Sequence, residues 1–319
     1  MSKSRWRLII FLWLFGLLLI FCRERSLLSQ RDTRVVVCDV GQGDAILIID
    51  GDHQILVDGG PDAAVLRCLR EEIPRVDKEL ELVILTHADA DHFTGLIDVF
   101  QAYSVQRLLI NNQYKESPEF AQFYNLLKNQ QQTQQLKIEV PTSAQKWCET
   151  KKLCLEILWW SSESLPGNIF SYNFQISELS DMLKNFDQTN IDYNDGSIVI
   201  NLIIDHKNIL LTGDISEASE LALLKSGLLK KIDVLKIAHH GSKSSSSSQF
   251  LALVQPEISL ISVGQGNSFK HPTSAVLTRL AEINSQIWRT DLMGKITLIF
   301  RSGQLEVKSE KIAQNWLSW

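Results

Sequence analysis

The sequence lacks an excess of positive charge. Its 319 residues include 32 lysines and arginines against 37 aspartates and glutamates, which leaves a formal net charge of −5 at pH 7. This balance argues against a broadly basic face of the kind that binds nucleic acid. A polyanionic substrate would therefore have to be held locally, by metal ions and a few cationic side chains.

Cysteine is scarce and forms no zinc-binding pattern. The chain has five cysteines, and no two of them stand in Cys-x-x-Cys spacing. Cys38 lies in a strand-like run, and we interpret it as a buried apolar residue, as free cysteines usually are. Cys148 and Cys154 flank a predicted turn between two strands. In an oxidising compartment they would be able to pair, but the sequence leaves this open.

Internal repeats and a second, unrelated domain are also lacking. A chain of this length holds one large domain or two small ones, and its 45% hydrophobic and 22% charged residues are ordinary for a globular protein. We predict one domain over residues 32–319. Residues 161–190 form a predicted insertion within it, either a lid or substrate wall or a surface decoration.

The amino terminus departs from this average composition. Basic residues on both sides enclose an apolar stretch at residues 8–22, which is short for a bilayer-spanning helix of about 17 to 25 residues. A basic flank before a short apolar core also fits a signal peptide, but no small-x-small cleavage site follows. We predict that residues 1–31 form an uncleaved membrane anchor and linker, with the domain outside the cytoplasm. If the segment were cleaved, the protein would be secreted.

Four side chains of metal-binding type fall within six positions, at His87, Asp89, Asp91 and His92. The apolar run at residues 82–85 predicts a buried strand directly before them, and α/β proteins build sites at the carboxyl ends of such strands. Two imidazoles and two carboxylates suit one or two borderline divalent ions, such as zinc or manganese. The alternative is a solvated strand-to-helix loop, which four ligands at this spacing make the weaker interpretation.

A predicted strand that ends in metal-binding side chains occurs twice more. Residues 209–213 lead into Asp214, and residues 232–238 lead into His239 and His240. A histidine pair is often no more than a satisfied part of the core. We nevertheless predict His240 as a metal ligand and His239 as the residue that faces the substrate or takes a proton, although the two roles are exchangeable.

The order of these motifs resembles the metallo-β-lactamase superfamily and, within it, the ComEC-type hydrolase domains of DNA-uptake (competence) proteins. The resemblance covers about residues 35–300. It rests on Asp-Val-Gly-Gln-Gly-Asp at 39–44, Leu-Val-Asp-Gly-Gly at 56–60, Thr-His-x-Asp-x-Asp-His at 86–92 and His-His-Gly-Ser at 239–242. The chain departs from the commoner pattern in two places. Asp89 stands where many members have histidine, and no further histidine ligand is evident around residues 194–202.

The resemblance implies an α/β fold, the four-layer αβ/βα sandwich, and a site for one or two zinc or manganese ions. Its metal ligands would be His87, Asp89, Asp91, His92, Asp214 and His240, and its catalytic residues Asp91 and His239. Residues that support the metal shell or contact substrate would be Asp58, Asn194, Ser197, Lys236, Ser242 and His271. A helix-capping or surface role remains the alternative for His271.

The resemblance further implies a metal-dependent hydrolase, and we expect a phosphodiesterase or nuclease that cleaves DNA with a metal-bound hydroxide. Cations at Lys236, Lys243, Lys270 and Arg289 favour single-stranded DNA or another phosphodiester as the substrate. The acidic net charge and the lack of an aromatic stacking stripe oppose a nuclease.

Two alternatives remain open. The first is a phosphodiesterase that acts on a small molecule, a lipid headgroup or a cell-wall phosphodiester. The second is an inactive binding module of a membrane complex. Complete ComEC proteins carry a large multi-helix membrane channel, whereas this chain has at most one span. We therefore expect a stand-alone relative and carry over no role in DNA transport.

Overall fold

The computed structural model describes residues 3–29, 32–111, 113, 115, 117–133, 136–159 and 193–311. The predicted insertion at 161–190 lies outside these residues. In chain order the helices and strands are α1 (Lys3–Ser29), β1 (Thr33–Val37), β2 (Ile46–Asp50), β3 (His53–Val57), α2 (Ala64–Glu72), β4 (Glu79–Leu85), α3 (Ala90–Ala102), β5 (Ser104–Ile110), α4 (Pro118–Thr133), β6 (Lys137–Glu139), β7 (Lys146–Cys148), β8 (Leu153–Trp159), β9 (Val199–Ile204), β10 (Lys207–Leu211), α5 (Glu217–Ser226), β11 (Val234–Lys236), α6 (Ser248–Val254), β12 (Ile258–Ile261), α7 (Ser274–Glu282), β13 (Gln286–Arg289), α8 (Thr290–Met293), β14 (Ile296–Arg301) and β15 (Gln304–Ser309).

The strands form two sheets. The order is β15-β14-β1-β2-β3-β4-β5-β6 in the first and β13-β12-β11-β10-β9-β8-β7 in the second. Strands β3 to β6 are parallel to one another, as are β10 to β13. The carboxyl ends of parallel strands lie at the same edge of a sheet. The segments that follow β3, β4, β10 and β11 therefore begin at such edges.

The sheets pack face to face, and helices cover their outer faces. Along β1, Val35 and Val37 belong to the cluster between the sheets, whereas Val36 belongs to the cluster under α2, α3 and α4. A third cluster lies between the second sheet and α5, α6 and α7. Strands covered on both faces appear as continuous apolar runs in the sequence. The layer order of helix, sheet, sheet and helix confirms the predicted sandwich.

Two disulfides link parts of the chain. Cys38, just after β1, is bonded to Cys68 of α2, with 5.9 Å between their Cα atoms. The interpretation of Cys38 as a free cysteine was therefore wrong, because a partner thirty residues away leaves no local pattern in the sequence. Cys148 and Cys154 are also bonded and close the turn between β7 and β8.

Helix α1 spans 27 residues, and described apolar side chains such as Trp6, Phe11 and Trp13 are exposed on it. Within the residues that the structure describes, no helix combines the length and the apolar character needed to cross a membrane. The structure therefore does not support the predicted membrane anchor, which stays a prediction.

Candidate metal centre

The loop between β4 and α3 carries the first group of site residues. The buried strand β4 ends at Leu85, and Asp89 takes the extended backbone conformation of the residue before the helix. Asp91 and His92 lie in the first turn of α3, where a carboxylate is favoured by the helix dipole. His87, between strand and helix, is fully buried. The strand predicted at residues 82–85 is present as the end of β4, and the loop after it carries His87 and Asp89.

Three histidine rings lie side by side in the site. The ring centroids are 4.1 Å apart for His87 and His92 and 5.5 Å apart for His92 and His240. In each ring Nδ1 has a partner: Thr86 Oγ1 at 3.0 Å for His87, Asp58 Oδ2 at 2.8 Å for His92 and Ser262 O at 2.8 Å for His240. In all three the opposite nitrogen, Nε2, is buried without a hydrogen-bond partner among the described residues. Metal-binding histidines show this division, one nitrogen held by a protein acceptor and the other facing the ion.

Two carboxylates face the free nitrogens. Asp214 Oδ2 lies 3.5 Å from His92 Nε2 and 3.4 Å from His240 Nε2, and Asp91 Oδ2 lies 3.3 Å from His240 Nε2. Ligand atoms within 4.8 Å of one another occur in the sets His87, His92, Asp214 and Asp91, His92, His240. His92 belongs to both sets, so the residues present would fit either one ion or two neighbouring ions. Buried nitrogen and carboxylate donors without partners are the chemistry that zinc or manganese binds.

Asp89 lies at the edge of this cluster. Its Oδ2 is 3.7 Å from His87 Nε2, and its Oδ1 forms an ion pair with Lys115. Burial opposes ionisation of Asp89, but the interactions with His87 and Lys115 outweigh burial and hold the pKa of this carboxyl below its usual value. Its role as a metal ligand stays a prediction, and Lys115 is a site residue that the motifs did not indicate.

The carboxylates control the protonation of the imidazoles. Burial opposes a charge on both rings, but Asp214 and Asp58 outweigh burial and raise the pKa of His92 well above its usual value. Asp214 and a hydrogen bond with Asp44 likewise overcome burial and raise the pKa of His240 to about 10. Conversely, His240 and His92 overcome the effect of burial on Asp214 and hold its pKa well below the usual range. These carboxylates therefore favour the charged form of both imidazoles, and metal binding would compete with that protonation.

A buried ion pair lies beside His240. Lys236 is fully buried, and its Nζ is 2.6 Å from Asp44 Oδ2. The other oxygen of Asp44 is 3.4 Å from His240 Nδ1. Lys236 was predicted either to support the metal shell or to contact substrate, and the structure places its ammonium group against Asp44 inside the protein, where it neutralises that carboxylate. Asp44 is the last residue of the Gly-Gln-Gly-Asp motif, which was the one available signal for its role.

Site residues also hold an unusual backbone conformation. Asp58, His239 and His240 have φ values of 58°, 49° and 53°, in the left-handed region that residues other than glycine seldom adopt. Such residues cost about 1 to 3 kcal/mol each and cluster at functional sites. The turn at His239 and His240 sends the two rings to different places. His240 enters the cluster, whereas His239 contacts His271, with 5.7 Å between ring centroids.

A hydrogen bond from its backbone N–H group holds Asp214 in place. Its N–H donates to Ser197 Oγ at 3.1 Å, and Ser197 is fully buried. The preceding Gly213 has a φ of +54°, and a Cβ atom there would stand 2.8 Å from Ser197 Cβ. Only glycine therefore allows this approach. Asn194 contributes its carbonyl oxygen, which accepts the N–H of Ser197 at 3.0 Å.

Three further predicted positions are less direct. The hydroxyl of Ser242 lies 3.0 Å from the hydroxyl of Ser244, so its described contact is local. The His271 ring is half-buried beside His239, and burial, followed by the charges of His239 and His240, lowers its pKa. Arg289, predicted as a phosphate partner, is instead bound through two hydrogen bonds to Asp291.

Several supporting residues were not predicted as site residues. Thr86 Oγ1 donates to Asp58 Oδ2 at 2.7 Å and so connects the carboxylate with the His87 ring. Asn111 Nδ2 donates to Thr86 O and to Gly196 O, and joins the two sheets at the site. Ser262 Oγ donates to Gly43 O at 2.6 Å. These contacts depend on residues that meet only in the folded chain.

The chain is similar to known proteins in sequence and in fold. The family description "Metallo-beta-lactamase superfamily" matches residues 38–265. Competence protein ComA of Neisseria gonorrhoeae is 29% identical over 293 residues, which are 91% of this chain and 35% of that protein. Recombination protein 2 of Haemophilus influenzae is 29% identical over 289 residues, 89% of this chain and 31% of that protein. The chain thus spans about a third of the length of these relatives.

Among solved structures, the metallo-beta-lactamase fold protein YhfI from Bacillus subtilis superposes with a TM-score of 0.50. The sequence identity is 12%, and the match covers 87% of this chain and all of that one. This likeness concerns the fold alone. It agrees with the four layers described above.

Proposed function

The chain belongs to the metallo-beta-lactamase superfamily, and we propose that it is a metal-dependent phosphodiesterase that hydrolyses single-stranded DNA. The observation that carries the proposal is the set of three buried imidazoles whose Nε2 atoms have no partner among the described residues. The ligands would be His87, His92, His240, Asp91 and Asp214, with Asp89 as the further predicted ligand. A bound divalent ion supplies Lewis acidity, which stabilises negative charge and activates water near neutral pH.

The side chains around the cluster have distinct tasks. Asp91 is the more exposed of the two cluster carboxylates, at 33% of its side chain against 4% for Asp214. Asp91 orients the attacking water and accepts its proton. Burial lowers the pKa of His271 and so favours its neutral ring, and this ring would donate a hydrogen bond to a phosphoryl oxygen, together with His239.

An aromatic ring at the mouth of the site supports a nucleic-acid substrate. Phe269 is 64% exposed and stacks on His271, with 5.7 Å between the centroids and 25° between the ring planes. His271 in turn contacts His239, so a row of rings runs from the surface toward the cluster. Nucleobases stack on exposed aromatic side chains. The sequence did not predict this surface.

The names of the relatives, a competence protein and a recombination protein, also favour DNA over a small diester or a lipid headgroup. Hydrolysis of a small molecule, headgroup or cell-wall phosphodiester is the alternative activity. An inactive binding module of a membrane complex is the alternative without chemistry.

We extend the proposal to location: the domain lies outside the cytoplasm, attached to a membrane through its N-terminal segment. Two disulfides support an oxidising compartment. The exposed apolar side chains of α1 support contact with lipid. Two experiments test this placement. The protein should stay with membranes during alkaline extraction, and protease added to intact cells should cleave it.

The activity is tested with the full chain, stripped of metal and then supplied with manganese or zinc. Cleavage of labelled single-stranded DNA is followed beside cleavage of bis(p-nitrophenyl) phosphate. Asp214→Asn should abolish both, whereas Asp52→Asn, the same change at an exposed turn, should alter neither. Cleavage of the small diester alone would replace the proposal by its first alternative, and no cleavage with metal bound would replace it by the second.

A further inference from the structure

A cavity of about 190 Å³ lies in the second half of the chain. It is lined by Glu217, Lys243, Ser245, Ser247, Ser248, Gln249 and Arg279. None of these residues belongs to the cluster of potential metal ligands. We propose that this cavity, here called the Lys243–Arg279 cavity, binds a phosphodiester group of the nucleic-acid chain next to the one that is hydrolysed. The inference rests on the proposed function and names the part of the substrate that the metal centre does not hold.

The cavity is built from chain segments that leave the metal centre. Lys243 follows His240 by three residues and Glu217 follows Asp214 by three, and three residues span at most about 11 Å. Arg279 lies on α7, which begins just after His271. One extended substrate bound at the centre would therefore be able to reach the Lys243–Arg279 cavity.

Hydrogen bonds hold these segments together. Glu217 N–H donates to Ser244 O at 2.8 Å, and Thr273 N–H donates to Gly241 O at 2.9 Å. The buried carboxylate of Glu220 accepts the N–H groups of Ser246 and Ser247 from behind. The loop that lines the cavity is thus fixed before substrate binds, which lowers the entropic cost of binding.

The two cations of the cavity have donors to spare. Arg279 Nη2 donates to Ser245 O at 2.8 Å, and its buried Nε has no hydrogen-bond partner in the part of the chain that the structure describes. Among the described residues, no carboxylate oxygen lies within 4 Å of the charged nitrogens of Lys243 or Arg279, although Glu217 lines the same cavity. Arginine and lysine side chains suit a phosphate group. The carboxylate of Glu217 opposes such binding, so it sets an upper limit to the affinity.

A small diester has one phosphate, which the metal centre takes, and leaves the Lys243–Arg279 cavity empty. A polynucleotide has a phosphate at every nucleotide and fills both. The cavity therefore raises the affinity for polymeric substrate alone. It also supplies positive charge locally in a protein whose net charge is −5.

The test compares two substrates in the full chain. In the double variant K243Q/R279Q the KM for single-stranded (dT)15 should rise at least tenfold, while kcat/KM for bis(p-nitrophenyl) phosphate stays within twofold. E217Q should act in the opposite direction and lower the KM for (dT)15. Lys230→Gln, at an exposed position away from the cavity, is the matched control.

Lys243 is exposed, so the single variant K243Q should fold normally and serves as a check on the double variant. In K243Q the slope of the logarithm of (dT)15 affinity against the logarithm of salt concentration should fall by about 1. Equal losses on both substrates, no change on either, or a rise in KM with E217Q would overturn the inference. If the wild type cleaves nothing, the proposed function fails separately. Binding of (dT)15 to D214N, with and without K243Q, then decides the cavity on its own: weaker binding upholds it, and unchanged binding removes it.

Discussion

Asp58 organises two of the metal-binding histidines, and Asp58→Asn tests this dependence. Asp58 is 1% exposed. Its Oδ1 accepts Thr86 N–H at 2.8 Å, and its Oδ2 accepts Thr86 Oγ1–H at 2.7 Å and His92 Nδ1–H at 2.8 Å. Asparagine has the same shape but only one acceptor oxygen. It cannot accept all three hydrogen bonds.

Both orientations of the new amide leave buried donors facing each other. With nitrogen in the place of Oδ2, His92 can keep the contact only by accepting, which moves its proton to Nε2, where the metal would bind. With nitrogen in the place of Oδ1, the amide meets the backbone N–H of Thr86. An unsatisfied buried donor costs about 1 to 3 kcal/mol. Loss of such a supporting partner typically weakens metal binding about 10- to 100-fold, and we expect D58N to fall in that range.

The measurement is a calorimetric titration of metal-free full chain with zinc and with manganese, for the wild type, D58N, T86V and the double variant. T86V removes only the hydroxyl between His87 and Asp58, and its loss should be smaller. Because both changes act on one hydrogen-bond network, the double variant should lose less than the sum of the two. Exposed Asp52→Asn is the control. Metal affinity of D58N within twofold of the wild type would refute the reasoning.

Three further predictions concern pH, the buried ion pair and a disulfide. The pKa of His240 is about 10 in the metal-free fold and about 6.5 when unfolded, so its contribution to stability is complete below pH 6.5 and is lost as pH rises toward 10. Urea unfolding of the metal-free protein should show this loss of stability, while metal affinity rises by up to tenfold per pH unit over the same range. If neither stability nor metal affinity changed with pH over this range, the raised pKa of His240 would be contradicted. Lys236→Met should lower the free energy of unfolding by about 3 to 5 kcal/mol because it leaves Asp44 charged and buried, and K236M/D44N should recover most of that loss. Equal unfolding midpoints of K236M and the wild type would count against the stabilising role of the ion pair. Cys38→Ser should lower the free energy of unfolding by about 3 to 4 kcal/mol, from the loop entropy of a separation of 30 residues. Chemical denaturation with the other disulfide intact measures this loss, and a loss below about 1 kcal/mol would show that the disulfide adds little stability.

Local patterns predicted much of the secondary structure correctly. Residues 217–226 form α5, closed by Gly227 in the left-handed conformation. Side chains with helical spacing, a serine cap and a final glycine are all neighbours in sequence, so this element could be recognised without its surroundings. By contrast, β15 was not predicted. It alternates half-buried and exposed residues at the end of a sheet, and its pairing with β14 makes it a strand.

Contacts between distant residues were not predictable in the same way. Cys38 bonds a cysteine of α2, and Ser262 donates to Gly43 across 219 positions. Neither contact corresponds to a periodic or local pattern in the sequence. The exposed ring of Phe269 belongs to this class as well, because its importance comes from the rings it stacks on.

The sequence alone determined which donors the site would contain. Each group of them follows an apolar strand, and strand, imidazole and carboxylate are local properties of the chain. Only the tertiary structure decided how the donors are used. His240, rather than its neighbour His239, enters the cluster because a left-handed turn and the carbonyl oxygen of Ser262 orient its ring. Lys236 lies beneath the site because Asp44 holds its charge there. The direction of a side chain depends on contact partners that folding brings from elsewhere in the chain. The sequence around that side chain does not indicate which residues these partners are.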